Sequence, residues 1–512
     1  MTRSPLHATG LRIVVALLVA AVPIGAVATA GGIGTPGSDG IGDSYFPLAG
    51  NGGYDVGHYR LDVRYAPATD RLFGRATITA TATQALSRFD LDLIGLRITS
   101  LAVDGDPATW DRVGQELIVT PASPILDGAG FEVVVRYRGI PRSPLSYGAR
   151  AGAIPTDDGV LIYGEPDVAA YWFPSNDHPR DKASFEIELT VPRGLKAISN
   201  GRLMGREPAG NGRVTWTWKE NSPMATYLAM AVIGRFELDR YRTSDGIRVL
   251  DAFDPRVGRN ARRSIGKSER VLRFLEARFG PYPFDDLGGI VDIWSGGFAL
   301  ENQTRPTYPA LTNDARSLVV HELAHQWYGD DVALAGWQHI WLNEGFATYV
   351  EWLWSEQQGS ATAQDLFDFY YEIVFPEGDP FWTLPIGDPG PDSLFDFAVY
   401  ARGAMTLHEL RLAVGDDAFF EILHRWAVDN AGGNVTTADF VQLSEQVSGQ
   451  DLDDLFDSWL FLPERPPLGL GAASVTAAGS GLSATLDGSG VAGSAPVVAR
   501  VQLQRAGLTG SR

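Results

Sequence analysis

Cysteine is absent from all 512 residues. That excludes disulfides and any lipid attachment through a lipobox thiol. Positive charge is scarce as well: 42 Lys and Arg stand against 62 Asp and Glu, a formal charge of −20. No basic patch is available to neutralise phosphate, which excludes nucleic acid as a partner. The acidity suits solubility and draws cationic peptides weakly, with salt screening most of the attraction. Internal repeats are missing, and so are membrane-length apolar runs, except near the N-terminus. There Arg3 and Arg12 precede an apolar run from Ile13 to Ala28, and Ala28-Thr29-Ala30 offers small residues for cleavage. Residues 1–30 therefore read as a signal peptide, with Pro23 and Gly25 favouring cleavage over the alternative, an uncleaved membrane anchor. The expectation is a secreted protein with no stable membrane span after cleavage. An exported chain without disulfides fits bacterial secretion better than a eukaryotic secretory pathway.

At this length the chain accommodates two or three domains with substantial cores. Residues 31–50 are rich in Gly and Ser and read as a flexible linker. Over 51–245 a period of two dominates, as in Arg60 to Tyr65, Ala76 to Thr83, Phe131 to Tyr137, Phe185 to Val191 and Val214 to Trp218. Turn clusters such as Asp104-Gly105-Asp106 and Asn211-Gly212 separate these strands. From 246 to 465 the period becomes helical: Ile265, Leu272, Leu275 and Phe279 share a face. Helices are expected at 314–328, 344–357, 403–414, 417–428, 437–447 and 451–461, the fifth capped by Thr436 with Asp439. Residues 466–512 turn to Gly, Ala, Ser and Val, a tail in which 475–487 and 497–503 are candidate strands. The fold class is thus α+β and multidomain: antiparallel β first, mainly helical after.

His321-Glu322-Leu323-Ala324-His325 is followed, after eighteen intervening residues, by Glu344. Histidines at i and i+4 of a helix project from one face towards a single point. Two imidazoles and a carboxylate form the ligand set of a catalytic zinc with one position open. Glu322, beside the first ligand, is placed to act as general base. Asn313 is a candidate cap for this helix and Gly329 a stop. Alone, such a pentapeptide also occurs as two polar groups on a buried helix. Its neighbourhood argues otherwise, since Glu344 lies in Trp341-Leu342-Asn343-Glu344-Gly345-Phe346-Ala347 at the start of a second helical stretch. A metzincin needs Gly at 328 and His at 331; Tyr328 and Asp331 exclude that subclass.

Together these segments resemble the M1 family of zinc metallopeptidases, the group of aminopeptidase N and leukotriene A4 hydrolase. Phe298-Ala299-Leu300-Glu301-Asn302 is similar to the family's G-x-M-E-N substrate motif, with Phe for the first Gly and Leu for Met. Tyr400-Ala401-Arg402-Gly403 matches its catalytic Tyr followed by Lys or Arg and Gly. Phe279-Gly280-Pro281-Tyr282-Pro283-Phe284 resembles its entry into the catalytic domain, and Phe173 to Pro179 its F-P-C-F-D-E-P segment. The resemblance implies a saddle-shaped N-terminal β domain, a thermolysin-like catalytic domain and one zinc per chain held by His321, His325 and Glu344. It implies Tyr400 as donor to the oxyanion, although a core aromatic is the alternative reading. Glu301 would bind the substrate's free α-amino group, flanked by Ala299, Leu300 and Asn302. Glu165 is a candidate second amine anchor or an ordinary turn carboxylate. His339, Asp330 and Asp331 are candidates for orienting a ligand imidazole.

The expected activity is removal of N-terminal residues from peptides with a free N-terminus by a monomeric enzyme. Larger family members carry a long helical C-terminal domain, which residues 466–512 do not provide. An endopeptidase with an open cleft is therefore one alternative. A non-catalytic peptide-binding relative is another, against which Glu322 and Tyr400 argue.

Overall fold

The computed structural model describes residues 34–470 apart from 267, 295–297 and 311–315. The signal-peptide segment, the Asn313 cap and the strands expected within 475–503 lie outside the described residues. Among the described residues no helix is long and apolar enough to cross a membrane.

Alternation builds the N-terminal half. In Tyr54–Ala66, Tyr59, Leu61, Val63 and Tyr65 are buried, while Arg60, Asp62 and Arg64 keep partial exposure on the opposite face. This strand runs parallel to Ala183–Pro192 and antiparallel to Arg71–Ala82, with Leu61 opposite Ile187 and Ala76. Around them the sheet grows to eight strands, from Arg202–Pro208 at one edge to Asp106–Pro107 at the other. A second, four-stranded sheet places Val160–Tyr163 between Gly152–Pro155 and Ala231–Gly234. All four residues of Val160–Tyr163 are buried, and the chain leaves this strand through Gly164 to deliver Glu165 to the helical half.

The composition of residues 31–50 suggested a linker, and over the described residues from 34 onward the structure corrects this. Thr35–Pro36 pairs parallel with Leu86–Asp92. The buried Asp43 carboxylate accepts the main-chain N–H of Tyr45 (2.7 Å), Phe46 (3.0 Å) and Trp337 (2.8 Å), and meets His178 Nε2 at 3.1 Å. Gly here reflects close backbone approach: a Cβ on Gly40 would sit 1.9 Å from the Pro47 oxygen.

The sheet of the second half begins a strand before the expected boundary at 245. Glu237–Arg242 runs antiparallel to Arg248–Phe253, which continues through Ile290–Val291 to Thr307–Tyr308. Helices Arg259–Ile265 and Ser268–Phe279 follow, burying Ile265, Leu272, Leu275 and Phe279. Thr437–Ser448 opens with the expected reciprocal cap between Thr436 and Asp439. The stretch 451–461 is a short helix, Asp453–Phe456, widening into a π-helical turn, Asp457–Phe461. Three helices carry the chemistry: Arg316–Ala324, Trp341–Gln357 and Phe397–Val414.

Candidate active site and metal centre

His321 lies in the last turn of Arg316–Ala324, and His325 one residue beyond it. The helix expected over 314–328 ends at Ala324 because the chain tightens there. Gln326 N–H donates to Leu323 O and Trp327 N–H to Ala324 O. His325 N–H still reaches His321 O at 3.3 Å, so the two imidazoles keep their i, i+4 relation. Glu344 sits in the first turn of Trp341–Gln357. Its Oε2 is 3.2 Å from His321 Nε2 and 3.6 Å from His325 Nε2, and the three donor atoms lie within 4.8 Å of one another.

The other ring nitrogens are occupied. His321 Nδ1 meets Glu351 Oε1 at 3.0 Å, and His325 Nδ1 meets the Tyr328 carbonyl at 3.0 Å. Each acceptor fixes a proton on Nδ1 and turns Nε2 towards Glu344. Asp330 and Asp331 do not take this role, nor does His339, whose Nδ1 engages Thr437 Oγ1 at 3.1 Å. Glu351 was not singled out in the sequence, although it stands seven residues after Glu344, two turns along one helix face.

Electrostatics support a cation here. Burial opposes charge on His321, yet Glu344 and Glu351 outweigh it and push the imidazole well above its usual range. Burial likewise opposes Glu344, but His321 and His325 hold its carboxyl down at about 2. A buried, carboxylate-rich set of two imidazole nitrogens and one oxygen, with both imidazoles oriented from behind, fits a divalent zinc. Glu322, also buried, has its carboxyl raised to about 8 by desolvation, against the pull of His321 and His325.

Tyr400 lies in the first turn of Phe397–Val414, a helix starting six residues earlier than expected because the Asp396 carboxylate accepts the Ala398 N–H at 2.8 Å. Its ring stacks on His321 with centroids 6.1 Å apart. Burial first, then the charges of Glu344, Glu165 and Glu301, push the phenol well above its usual range, so it remains a proton donor. Arg402 is structural: its buried guanidinium donates to the carbonyls of Trp459, Trp382, Leu384, Ser458 and Leu462, pinning the helix that carries Tyr400.

Glu301 and Glu165 come together from the two halves of the molecule. Both are buried, and burial followed by the charge of Glu301 raises Glu165 well above the carboxylate range. Tyr227, which carries no local sequence signal, donates to Glu301 Oε1 at 3.3 Å. Leu300 exchanges main-chain hydrogen bonds with Thr307 at 2.9 and 2.8 Å. Asn302, expected at the substrate site, has its side chain held on both ends. Its amide donates to Leu228 O (3.0 Å) and its carbonyl accepts from Thr307 Oγ1 (2.9 Å), so both ends anchor the strand.

Residues 300–459 match the peptidase family M1 domain, and residues 56–228 match the peptidase M1 N-terminal domain. An M1 zinc metallopeptidase from Deinococcus radiodurans superposes with a TM-score of 0.78 at 31% identity, over 85% of this chain and 99% of that one. A mutant of that enzyme has been solved bound to Tyr-Ser-Ala substrate. Aminopeptidase M1 of Arabidopsis thaliana is 31% identical over 322 residues, 58% of this chain and 36% of that protein. Probable aminopeptidase 1 of Saccharolobus solfataricus is 26% identical over 405 residues, 74% of this chain. The alignments thus take in between about a third and a half of the length of these curated relatives.

Proposed function

From the premise that this chain belongs to the M1 family of zinc metallopeptidases, we propose that it is an aminopeptidase removing single residues from the N-termini of peptides. The observation that carries the reading is the buried carboxylate pair Glu165 and Glu301 beside the His321–His325–Glu344 centre. Two buried carboxyl groups, both raised by desolvation, regain their charge when an ammonium group comes beside them. A substrate pinned there by its α-amine presents its first peptide bond to the centre.

His321, His325 and Glu344 would hold one zinc, which would supply Lewis acidity to the substrate carbonyl and to a water. Glu322, buried beside His321, accepts the attacking water's proton and returns it to the departing amine. Tyr400, kept protonated by burial and then by the carboxylates around it, donates to the developing oxyanion. Export belongs to the same proposal; its support is the Arg3–Ala30 sequence, and the N-terminal sequence of the extracellular protein tests it.

The deciding experiment compares free-amine with N-acetylated peptides by mass spectrometry, with zinc measured by elemental analysis. Stepwise trimming of free peptides only, one zinc per chain, and loss of most activity in Glu301→Ala are expected. Internal cleavage of acetylated peptides at equal rates overturns the reading in favour of an endopeptidase.

A further inference from the structure

We infer that Phe298 forms an aromatic wall that selects the residue following the scissile bond, favouring large apolar side chains there. The inference rests on the aminopeptidase reading. Phe298 stacks on Tyr163 with ring centroids 4.9 Å apart and planes 15° from parallel. Tyr163 is fixed in turn: Trp294 Nε1 donates to its hydroxyl at 3.0 Å, and the Trp294 ring meets it edge-on at 5.7 Å. Tyr163 is buried, while Phe298 and Trp294 keep partial exposure, so the stack has a rigid back and an accessible front.

Its place along the substrate follows from the main-chain hydrogen bonds of its own segment. Leu300 spends both main-chain groups on Thr307, so strand alternation turns those of Ala299 and Glu301 to the opposite edge. The Glu301 carbonyl is taken by Gln326 Nε2 at 2.8 Å, which leaves Ala299 to pair with an extended peptide. With the first residue's ammonium at Glu301, the chain of the substrate passes Ala299 and then Phe298 on the leaving side. The second residue lies on that leaving side, so its side chain faces the stack. An aromatic wall without a charged side chain of its own favours leucine or phenylalanine and disfavours aspartate and glycine there.

The test measures kcat/KM of the zinc-loaded full chain on free tripeptides sharing their first and third residues, with Leu, Phe, Gly or Asp second. Wild type is expected to prefer Leu and Phe over Gly by roughly tenfold. Phe298→Gly should reduce that ratio to about twofold while binding the same zinc. If Phe298→Gly does not fold, Phe298→Leu decides, with an expected shift from Phe towards Leu as the best second residue. A second-residue preference identical in wild type and variant overturns the wall alone. Failure of the wild type to trim any free peptide overturns the aminopeptidase reading and the wall with it.

Discussion

Glu351 touches no substrate position, yet it decides which nitrogen of His321 faces Glu344, through a 3.0 Å contact to Nδ1. Losing such a partner behind a metal ligand typically costs 10- to 100-fold in metal affinity. Glu351→Ala should therefore weaken zinc binding by about that factor in a chelator competition, and Glu351→Gln less, since an amide oxygen still accepts. Equal affinity in all three proteins would remove Glu351 from the centre. A second buried histidine has a different consequence. His408 lies between Tyr349 OH (3.1 Å, to Nδ1) and Gln364 Oε1 (3.1 Å, to Nε2). Burial, then Arg411, lower its imidazole to about 4. The folded state thus refuses a proton that the unfolded chain takes up below about 6.5. Its contribution is fully present above pH 6.5 and fades as pH falls towards 4, by about 3 kcal/mol in all. Denaturant titrations at pH 7 and pH 4.5 should show a smaller loss in His408→Gln than in wild type; parallel losses would assign the acid sensitivity elsewhere.

The helices Trp341–Gln357 and Phe397–Val414 cross where Gly345 meets Gly403. A Cβ on Gly403 would lie 2.8 Å from the Gly345 Cα, and one on Gly345 would lie 2.9 Å from the Gly403 Cα. Glu344 precedes one glycine and Tyr400 stands one turn before the other, so the closeness of this crossing sets the distance from phenol to metal ligand. Gly403→Ala should cost about 1–3 kcal/mol through overpacking and should lower kcat more than it raises KM, with zinc retained. Thermal unfolding and steady-state kinetics together check this, and an unchanged kcat would show that the helices separate without moving Tyr400. The crossing also marks the limit of what the sequence disclosed. His321, His325 and Glu344 were legible because their spacing encodes a helix face and a following helix start. Tyr400 and Glu301 were legible through short motifs that resemble a family. Gly345 against Gly403, Tyr227 on Glu301 and Asn302 on Leu228 are long-range contacts set by topology, which no local pattern reports. The early start of Phe397–Val414 was hidden for another reason: Phe397, Val399 and Tyr400 disfavour helix, and only the Asp396 cap and tertiary packing override them.

At the scale of the whole molecule, residues 34–50 tie the β half to the helical half. Asp43 accepts the Trp337 N–H on one side and meets His178 on the other, while Tyr45 OH receives the Gly390 N–H at 2.8 Å and Phe46 packs edge-on against Trp337. Arg180 Nη1 donates to the Ile41 carbonyl at 2.9 Å, adding a second tie to the β half. Abundant Gly and Ser made this segment read as a flexible linker, because composition does not register a single buried carboxylate. The carboxylate is held well below its usual range: burial raises it, but His178 and the N–H groups of Trp337, Phe46 and Tyr45 outweigh that. The site depends on the tie, since Glu165 arrives from the β half and must meet Glu301 from the other. Hydrogen bonds to a charged group contribute about 1.5–3 kcal/mol each. Asp43→Ala should therefore destabilise the protein by at least about 2 kcal/mol, and a chain beginning at residue 51 by more than one beginning at residue 34. The shortened chain should also bind free-amine peptides more weakly while keeping its zinc, because His321, His325 and Glu344 all lie in the helical half. Differential scanning calorimetry with KM and zinc measurements on the intact protein, Asp43→Ala and the two shortened chains tests this. Equal melting temperatures would mean that the segment rests on a union the two halves make without it.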